Sequence, residues 1–344
     1  AHHFSQACWA GIPIVAAQTS PESPLLLELI VRMFSGGTAA LRANLSPEFP
    51  AEHWGDLLDF CAFCVGNLGN FKAIGDSKVV PRLPLDSFAA AVSATGDDRV
   101  LELWSQVQAA VYSPEGAIAD GYYTGGASAA EDGKLVGLAL EERREEAWNT
   151  RVEKRASDGT LIIRSASVRE QEEEPFEFRG VRMARATGDH SAALANVVTH
   201  LRRALPHAPS AHASAMLRAL TEHFTDGAID LHKQASAEWV KDDPAVETTI
   251  GFIETDRDPQ GVRAEFEGFV AVRNAVMSAK FARLVAFAPT LLSRLPWGAE
   301  FERDTFQAPA FTSLDVLSFC SGSLPLGICL PSAPPPPQHV ITIS

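Results

Sequence analysis

Apolar residues recur every three to four positions through much of the chain, the spacing that places them on one face of a helix. Two such segments, 4–17 and 24–34, are separated by Ser20-Pro21-Glu22-Ser23, which supplies cap residues and a proline for a first turn. The spacing therefore predicts a helical hairpin at the start of the chain. It predicts further helices over 56–65, 84–92, 97–111, 191–205, 211–224 and 226–239.

Strands are predicted where turn residues and alternation with period two replace the helical spacing. Asp158-Gly159 lies between apolar runs and predicts a β-hairpin within 150–168, since Asp-Gly favours the tight turn between antiparallel strands. Further strands are predicted over 176–184 and 247–254. The like-charged run 170–174 is expected to be a solvated loop.

A long apolar segment covers 266–295. Its large side chains fall on one helical face and predict a single helix that Pro289 kinks. The residues of that face are Met277, Phe281, Leu284, Ala288, Leu291 and Leu295. From 311 to 330 the chain is apolar again, and its glycines favour strand and loop.

Composition describes a soluble globular protein. With 46% hydrophobic residues among 344, the chain can fill one large core or two ordinary ones. Its 43 acidic residues exceed its 29 basic residues by 14, so we expect no nucleic acid as a partner. No run of about 18 apolar residues is found, so no membrane span is expected. The five cysteines form an odd set, which predicts a reducing, cytoplasmic setting.

Two groups of reactive residues have an ordinary structural interpretation. Cys61 and Cys64 have redox or half-zinc spacing, but they lie in a helical pattern without a second pair of ligands, so two buried small residues are favoured. Five histidines between His200 and His232 form no zinc-binding motif, and solvated or core imidazoles are favoured. No nucleophile elbow, Walker loop or dinucleotide fingerprint is found.

The densest polar set lies at the end of the predicted strand 247–254. Carboxylates at a strand end can hold a cationic group such as a peptide α-amine, through charge-assisted hydrogen bonds. They can equally pair with the neighbouring arginines, and the residue types alone leave both alternatives open. The set consists of Glu254, Asp256, Arg257, Asp258, Arg263, Glu265 and Glu267.

The chain around this polar set resembles the dipeptidyl peptidase III family of zinc metallopeptidases. The resembling stretch runs from Gly251-Phe252-Ile253-Glu254-Thr255-Asp256 to Met277-Ser278-Ala279-Lys280-Phe281. Collinear blocks extend the resemblance over 4–331. They include Gln18-Thr19-Ser20-Pro21-Glu22, Gly69-Asn70-Phe71-Lys72 and Phe311-Thr312-Ser313-Leu314-Asp315-Val316-Leu317.

The resemblance implies a two-lobed enzyme that removes dipeptides from the free amino terminus of short peptides. One lobe carries zinc on a His-Glu-x-x-x-His helix, and the other binds the peptide as an added strand. This chain corresponds to the second lobe, for which the family implies an α+β fold, helix-rich with a small five-stranded β-barrel. The expected organisation is a peptide-binding lobe over 1–273, a helical excursion over 274–310 that packs on the zinc lobe, a return strand over 311–331 and a Pro-rich tail over 332–344.

This sequence departs from the family where the chemistry is done. The motif His-Glu-x-x-x-His does not occur in it, so we expect no zinc or other cofactor in this chain and no hydrolysis by it alone. Glu254 matches the carboxylate that binds the peptide amine. Asp256 replaces a tyrosine near the scissile carbonyl, where an anion would repel a developing oxyanion. Cys329 and Ser332 replace two asparagines that bind the peptide.

Three hypotheses follow. The change at Asp256 favours a shortened, non-catalytic relative that still binds peptides. The cut-looking ends and the proline tail favour an incomplete fragment of an active enzyme. A structural subunit of a larger assembly is the third. In each, the helix from Asn274 to Leu295 is expected to be covered by the missing catalytic lobe or another protein, because soluble proteins rarely expose a large apolar surface.

Overall fold

The fold was taken from a computed structural model, which describes residues 1–72, 77–113, 121–302, 312–322, 329–331 and 340–342. Its α-helices are α1 (His2–Ala10), α2 (Ile12–Thr19), α3 (Ser23–Met33), α4 (Thr38–Asn44), α5 (Ala51–Asn67), α6 (Leu85–Ser93), α7 (Asp98–Tyr112), α8 (Lys134–Glu142), α9 (Ser191–Ala204), α10 (Ala211–Asp226), α11 (Ile229–Lys241) and α12 (Ala275–Leu292).

The strands in the described part of the chain form three sheets. They are β1 (Tyr123–Thr124), β2 (Thr150–Lys154), β3 (Leu161–Ala166), β4 (Glu174–Phe178), β5 (Val181–Asp189), β6 (Val246–Phe252), β7 (Phe266–Arg273), β8 (Leu314–Cys320), β9 (Cys329–Pro331) and β10 (Val340–Thr342). A mixed sheet has the order β1-β2-β3-β5-β4, an antiparallel sheet has the order β6-β7-β8, and β9 pairs with β10. The α+β class is therefore confirmed.

The predicted helical hairpin at the start of the chain is confirmed, with one break. Residues 4–17 form two helices rather than one, because α1 ends at Gly11 and α2 begins with Pro13 in its first turn. Gly11 lies against the ring of Phe266, where a Cβ atom would come within 2.0 Å of the aromatic carbons. The break therefore lets the first helices approach the central strand of the antiparallel sheet closely.

Helices α3, α5, α6 and α7 bury a core of their own. Cys61 and Cys64 of α5 lie inside it, with 4% and 0% of their surface exposed. Burial raises the pKa of the Cys61 thiol to about 12, so the thiol stays protonated and unreactive at neutral pH. Both observations agree with the structural interpretation of these two cysteines.

The predicted hairpin within 150–168 is confirmed as β2 and β3, which pair antiparallel. The single strand predicted over 176–184 is wrong, because a turn divides this segment into β4 and β5. Arg179 and Gly180 form the turn with φ of 50° and 78°, the left-handed pair of angles that suits a two-residue hairpin. The acidic run before it is exposed, as expected.

The five-stranded sheet is open, so the described strands do not form the expected closed barrel. Its edges are β1 and β4, which lie at opposite ends of the strand order. β1 has only two paired residues, and most of β4 is exposed to solvent. β1 and β4 are not hydrogen-bonded to each other, as the two edge strands of a sheet would have to be for the sheet to close into a barrel.

The single helix predicted over 266–295 is wrong in its first third. Residues 266–273 form β7, the central strand of the antiparallel sheet, and its first six residues are buried. A strand buried on both faces has a continuous apolar sequence, which periodicity alone cannot distinguish from a buried helix. The helix α12 follows, and Pro289 lies inside it.

Helix α12 leaves the body of the protein, and it has no buried residue. Its 18 residues have a mean hydropathy of 1.4, so its length and composition are those of a helix that can cross a membrane. Length and mean hydropathy alone do not decide whether a helix crosses a membrane, so the expectation of no membrane span stays a prediction. Lys280 and Arg283 lie in the middle of the helix, where a bilayer would disfavour charge.

The antiparallel sheet packs one face on helices α1, α2, α9, α10 and α11. Ile250 and Phe252 of β6 and Phe266 and Val270 of β7 contribute the sheet side of that core. This packing fixes where β6 ends and β7 begins, and the polar set of the sequence analysis lies at that junction.

Candidate functional site

Three of the carboxylates singled out in the sequence lie at one end of the β6–β7 pair: Glu254 and Glu265 lie just beyond the strands, and Glu267 lies opposite Gly251 of β6. The backbone ladder continues past the strand ends, because Ile253 donates to the Glu265 carbonyl (3.0 Å) and Glu265 donates to the Glu254 carbonyl (2.7 Å). The ladder brings Glu254, Glu265 and Glu267 to one end of the antiparallel sheet.

Glu254 and Glu267 have raised pKa values. Glu254 is half-buried, and burial followed by the repulsion of Asp256 raises its pKa. Glu267 is 6% exposed, and burial, then the carboxylates of Glu265 and Glu254, raise its pKa to about 8. One oxygen of Glu267, Oε1, has no hydrogen-bond partner in the described part of the chain.

The arginine at 257 serves a neighbouring carboxylate. Arg257 is buried, and its Nη1 donates to Glu265 Oε1 (2.8 Å) and to Thr19 Oγ1 (3.0 Å). Gly322, just after β8, lies against this guanidinium, since a Cβ atom there would come within 3.0 Å of Nη2. Arg257 thus ties the start of β7 to the end of α2 and to the residues that follow β8.

A second buried network holds the loop between β6 and β7. The Tyr123 hydroxyl donates to Asp258 Oδ1 (2.6 Å) and accepts from Arg263 Nη1 (3.0 Å). The other oxygen of Asp258 accepts the backbone N–H groups of Val262 (3.1 Å) and Arg263 (2.9 Å). The loop is therefore fixed by internal hydrogen bonds, with Asp258 at their centre.

Gln18 fastens the same region to α2. Its side-chain Nε2 donates to the Ala264 carbonyl (2.9 Å), and its Oε1 accepts the N–H of Phe266 (2.7 Å). Sequence reasoning quoted Gln18 only as part of a resembling block and missed Tyr123 altogether. The partners are 246 and 135 residues away, so no local pattern points to these roles.

The pairing of carboxylates with neighbouring arginines is realised at two of them, and the binding of a cationic group stays a prediction. Arg257 pairs with Glu265, and Arg263 lies 3.5 Å from Asp258. Glu254, Asp256 and Glu267 have no arginine or lysine within ion-pair distance among the residues that the structure describes. The site therefore combines a structural network with three carboxyl groups that lack a positive counterpart from those residues.

The two replaced asparagine positions are only partly covered by the structure. Cys329 begins β9, where its register partner is Thr342 of β10. Ser332 lies outside the described residues, as does most of the proline-rich tail. The predicted roles of Glu254, Asp256, Cys329 and Ser332 in peptide binding stay predictions.

The residues that the structure describes do not fit zinc. Across the described ranges, no group of three or more histidine, cysteine, aspartate or glutamate side chains is arranged to hold a metal ion. His223 and His232 are buried, and burial lowers their pKa values to about 3 and about 4. His223 Nδ1 is 2.9 Å from the Ala228 carbonyl, so these imidazoles belong to the core, as the sequence favoured.

A cavity of about 430 Å³ lies elsewhere, between α1, α10, α11 and β6. Its walls are mainly apolar and include Phe4, Met216 and Trp239. None of the three unpaired carboxyl groups lines it. The cavity and the three unpaired carboxyl groups therefore lie at different places in the fold. The carboxyl groups, at the end of the antiparallel sheet, are the candidate binding site.

The fold and the polar set at its sheet end can now be compared with known proteins. The sequence model of Peptidase family M49 matches residues 97–334, which is more than half of the chain. The chain therefore belongs to Peptidase family M49.

The curated relatives that the chain matches include proteins named dipeptidyl peptidase 3. Dipeptidyl peptidase 3 from Nematostella vectensis is 37% identical over 370 residues, and that from Mus musculus is 38% identical over 361 residues. These alignments cover 96% of this chain but 50% and 49% of the relatives, so the chain spans about half their length. DPP III from Caldithrix abyssi has the same fold, with a TM-score of 0.62 at 16% identity over 99% of this chain and 53% of that one.

Proposed function

We propose that this chain is the peptide-binding half of a dipeptidyl peptidase III-like protein, and that Glu254 holds the free amine of a peptide. The supporting observation is the set of three carboxyl groups, Glu254, Asp256 and Glu267, that the described residues leave without a cation. A half-buried carboxylate gains from a charge-assisted hydrogen bond with an ammonium group, and a peptide amino terminus supplies one.

The proposed binding mode is a peptide in an extended conformation along the edge of the sheet. Within the described ranges, β8 pairs with β7 on one side and presents its other edge unpaired. An edge strand offers backbone donors and acceptors to which a peptide can add as a further strand. β8 ends at Cys320, two residues before Gly322, which lies close to the guanidinium of Arg257. One end of a peptide bound along β8 would therefore lie near the acidic set.

A direct test compares a short peptide that has a free amine with its N-acetylated form, by calorimetry at pH 6.5. The proposal predicts that acetylation weakens binding at least tenfold, and that Glu254→Gln removes most of this difference. Glu222→Gln, an exposed carboxylate on α10, is the matched control and should leave both affinities unchanged. Equal affinity for the free and the acetylated peptide would contradict the role of Glu254.

We further propose that the 344-residue chain binds peptides without cleaving them. Its sequence lacks the His-Glu-x-x-x-His motif of the family, and Asp256 occupies the tyrosine position. The alternative is that it is a fragment of an active dipeptidyl peptidase III, and the half-length match to the relatives is compatible with both. Metal analysis and an assay of dipeptidyl-naphthylamide hydrolysis distinguish the two alternatives. Stoichiometric zinc together with turnover by this chain would contradict the non-catalytic proposal.

The partner that we propose for α12 is the half of the relatives that this chain does not match. The helix exposes Val276 by 69%, Phe287 by 63% and Leu284 by 52%, and Trp297 and Phe301 beyond it are exposed as well. Hydrogen bonds between Ser278 and Ser313 tie its base to the sheet. An exposed apolar helix that is attached to the fold at one end is suited to packing against another protein surface.

Light scattering tests this second proposal. The isolated chain is expected to form a heterogeneous range of oligomers rather than one discrete species, and Leu284→Glu with Phe287→Glu is expected to yield a monomer of unchanged fold. A wild-type chain that stays monomeric at high concentration would count against a covered α12. A discrete dimer that the double variant abolishes would instead identify a second copy of this chain as the occupant.

We also propose a cytoplasmic location. Cys8, Cys61, Cys64 and Cys320 are free and buried thiols, which suits a reducing compartment. Measurement of the free-thiol content of the purified protein tests this, and a disulfide among these four would contradict it.

A further inference from the structure

We propose that Glu267 is a positioning residue for the amine site, and that it releases its proton to solvent when a peptide ammonium group enters. Peptide binding by this chain would then be coupled to proton release. The proposal rests on the proposed amine-binding role of Glu254 and adds a second, buried carboxyl group to it.

The first step of the argument is the position of Glu267. It lies on β7 with Gly251 of β6 as its register partner, and 6% of it is exposed. The backbone N–H of Glu254 is near enough to the carboxyl group of Glu267 to counter part of the rise in its pKa, so Glu267 lies beside the segment that carries Glu254. Its Oε1 is buried and has no hydrogen-bond partner in the described part of the chain.

The second step is the charge around Glu267. A buried carboxylate whose oxygen lacks a donor is costly unless a positive charge is near, so the empty site favours the neutral acid. The groups that face it from the described ranges provide no free cation. They are Glu254 and Asp256 in the loop, Glu265 with its partner Arg257, Cys320 on β8, and His232 of α11, which packs against Gly251.

The neighbours that can titrate do not change this balance. Burial lowers the pKa of His232 to about 4, so its imidazole is neutral at pH 6 and above. Burial raises the pKa of the Cys320 thiol well above its ordinary value, so that thiol is also neutral. Arg257 already donates to Glu265. The arriving ammonium is therefore the charge that can shift the protonation of Glu267.

The size of the effect follows from ordinary values. With a pKa of about 8, Glu267 is almost fully protonated at pH 6.5 in the empty site. An opposite charge within about 4–6 Å lowers a carboxyl pKa by about 1–3 units, so about 0.7 of a proton leaves at pH 6.5 for a two-unit change. The carboxylic O–H of Glu267 breaks, the proton passes to the buffer base, and the carboxylate faces the peptide ammonium without a covalent bond.

Calorimetry in two buffers tests the coupling. Binding of a free-amine peptide is measured at pH 6.5 in phosphate and in bis-Tris, whose ionisation enthalpies differ, and the difference between the two binding enthalpies gives the number of protons released. The wild-type chain is expected to release about 0.7 proton per peptide, from the shift worked above. Glu267→Gln should release less than about 0.2 while retaining weakened binding.

Glu247→Gln is the matched control. Glu247 is another buried carboxyl group, on β6, whose pKa burial raises, but it accepts a hydrogen bond from Trp239 Nε1 (3.2 Å) away from the acidic set. This variant should keep the proton release of the wild type. If Glu267→Gln does not fold, the wild-type measurement in the two buffers still decides the matter.

The outcomes separate the two proposals. Peptide binding without proton release by the wild-type chain would overturn the role of Glu267 and leave Glu254 in place. Unchanged release by Glu267→Gln would overturn it as well, because another group would then be the source. The absence of any peptide binding would overturn both.

Discussion

The Tyr123 hydroxyl joins two buried charges, and its removal is predicted to be costly. It donates to Asp258 Oδ1 at 2.6 Å and accepts from Arg263 Nη1 at 3.0 Å. Tyr123→Phe removes both hydrogen bonds without changing the shape of the ring. Tyr123 is 3% exposed and Arg263 is fully buried, so water cannot readily replace the lost partner.

The expected cost can be worked from these contacts. A hydrogen bond to a charged group contributes about 1.5–3 kcal/mol, and a buried group left without a partner loses its solvation as well. We therefore expect Tyr123→Phe to lower the free energy of unfolding by about 2–4 kcal/mol. Tyr112→Phe is the matched control, because its hydroxyl makes one neutral bond, to the Leu83 carbonyl (2.9 Å), for which we expect about 0.5–1.5 kcal/mol.

Urea denaturation followed by tryptophan fluorescence measures both variants. Because Asp258 also fixes the loop between β6 and β7, Tyr123→Phe is further expected to weaken peptide binding at Glu254. A loss of stability for Tyr123→Phe no larger than that for Tyr112→Phe would refute the reasoning, since the two charged partners would then contribute nothing.

Three other predictions follow from packing, burial and exposure. Gly11→Ala places a Cβ 2.0 Å from an aromatic ring and should lower the free energy of unfolding by about 1–3 kcal/mol, whereas Gly55→Ala, inside α5 with open space around it, should raise it by about 0.5–1 kcal/mol; the opposite order in urea melts would count against this packing. His223 and His232 are buried with lowered pKa values, so the unfolded chain binds more protons than the folded one as the pH falls below about 6.5. The stability that the two neutral histidines contribute is complete above about pH 6.5 and falls as the pH drops toward about 4 and 3. A variant with glutamine at both positions should therefore lose less stability than the wild type between pH 7 and pH 5, and an equal loss would exclude these histidines as the cause. Leu284→Gln on α12 should change the free energy of unfolding by less than about 0.5 kcal/mol while reducing self-association, and a larger destabilisation would mean that α12 packs on the body of the protein.

Local patterns account for the elements that could be predicted. Amphipathic spacing predicts the helices because one face of each is buried, and Asp158-Gly159 predicts the β2–β3 hairpin because the turn depends on those residues alone. The boundary between β7 and α12 could not be predicted, because burial of both faces of β7 removes the alternation that would mark it as a strand. The division of β4 from β5 was missed because Arg179-Gly180 is a less typical turn sequence than Asp-Gly.

The candidate site divides in the same way. Glu254 could be singled out from the resemblance and from the local density of charge. The pairing of Arg257 and Arg263 with particular carboxylates could not, because it depends on Thr19 and Tyr123, which the fold brings from distant parts of the chain. The predicted domain boundaries at 273, 310 and 331 stay predictions.

The central claim is that a peptide amine binds at the acidic end of the β6–β7–β8 sheet. The most direct measurement is a map of backbone amide chemical shifts of the isotopically labelled chain while a short free-amine peptide is added. The account predicts that the amides of Glu254, Glu265 and Gly322 shift and that the N-acetylated peptide does not move them. Shifts confined to the cavity around Phe4 and Trp239, or no shifts at all, would contradict it.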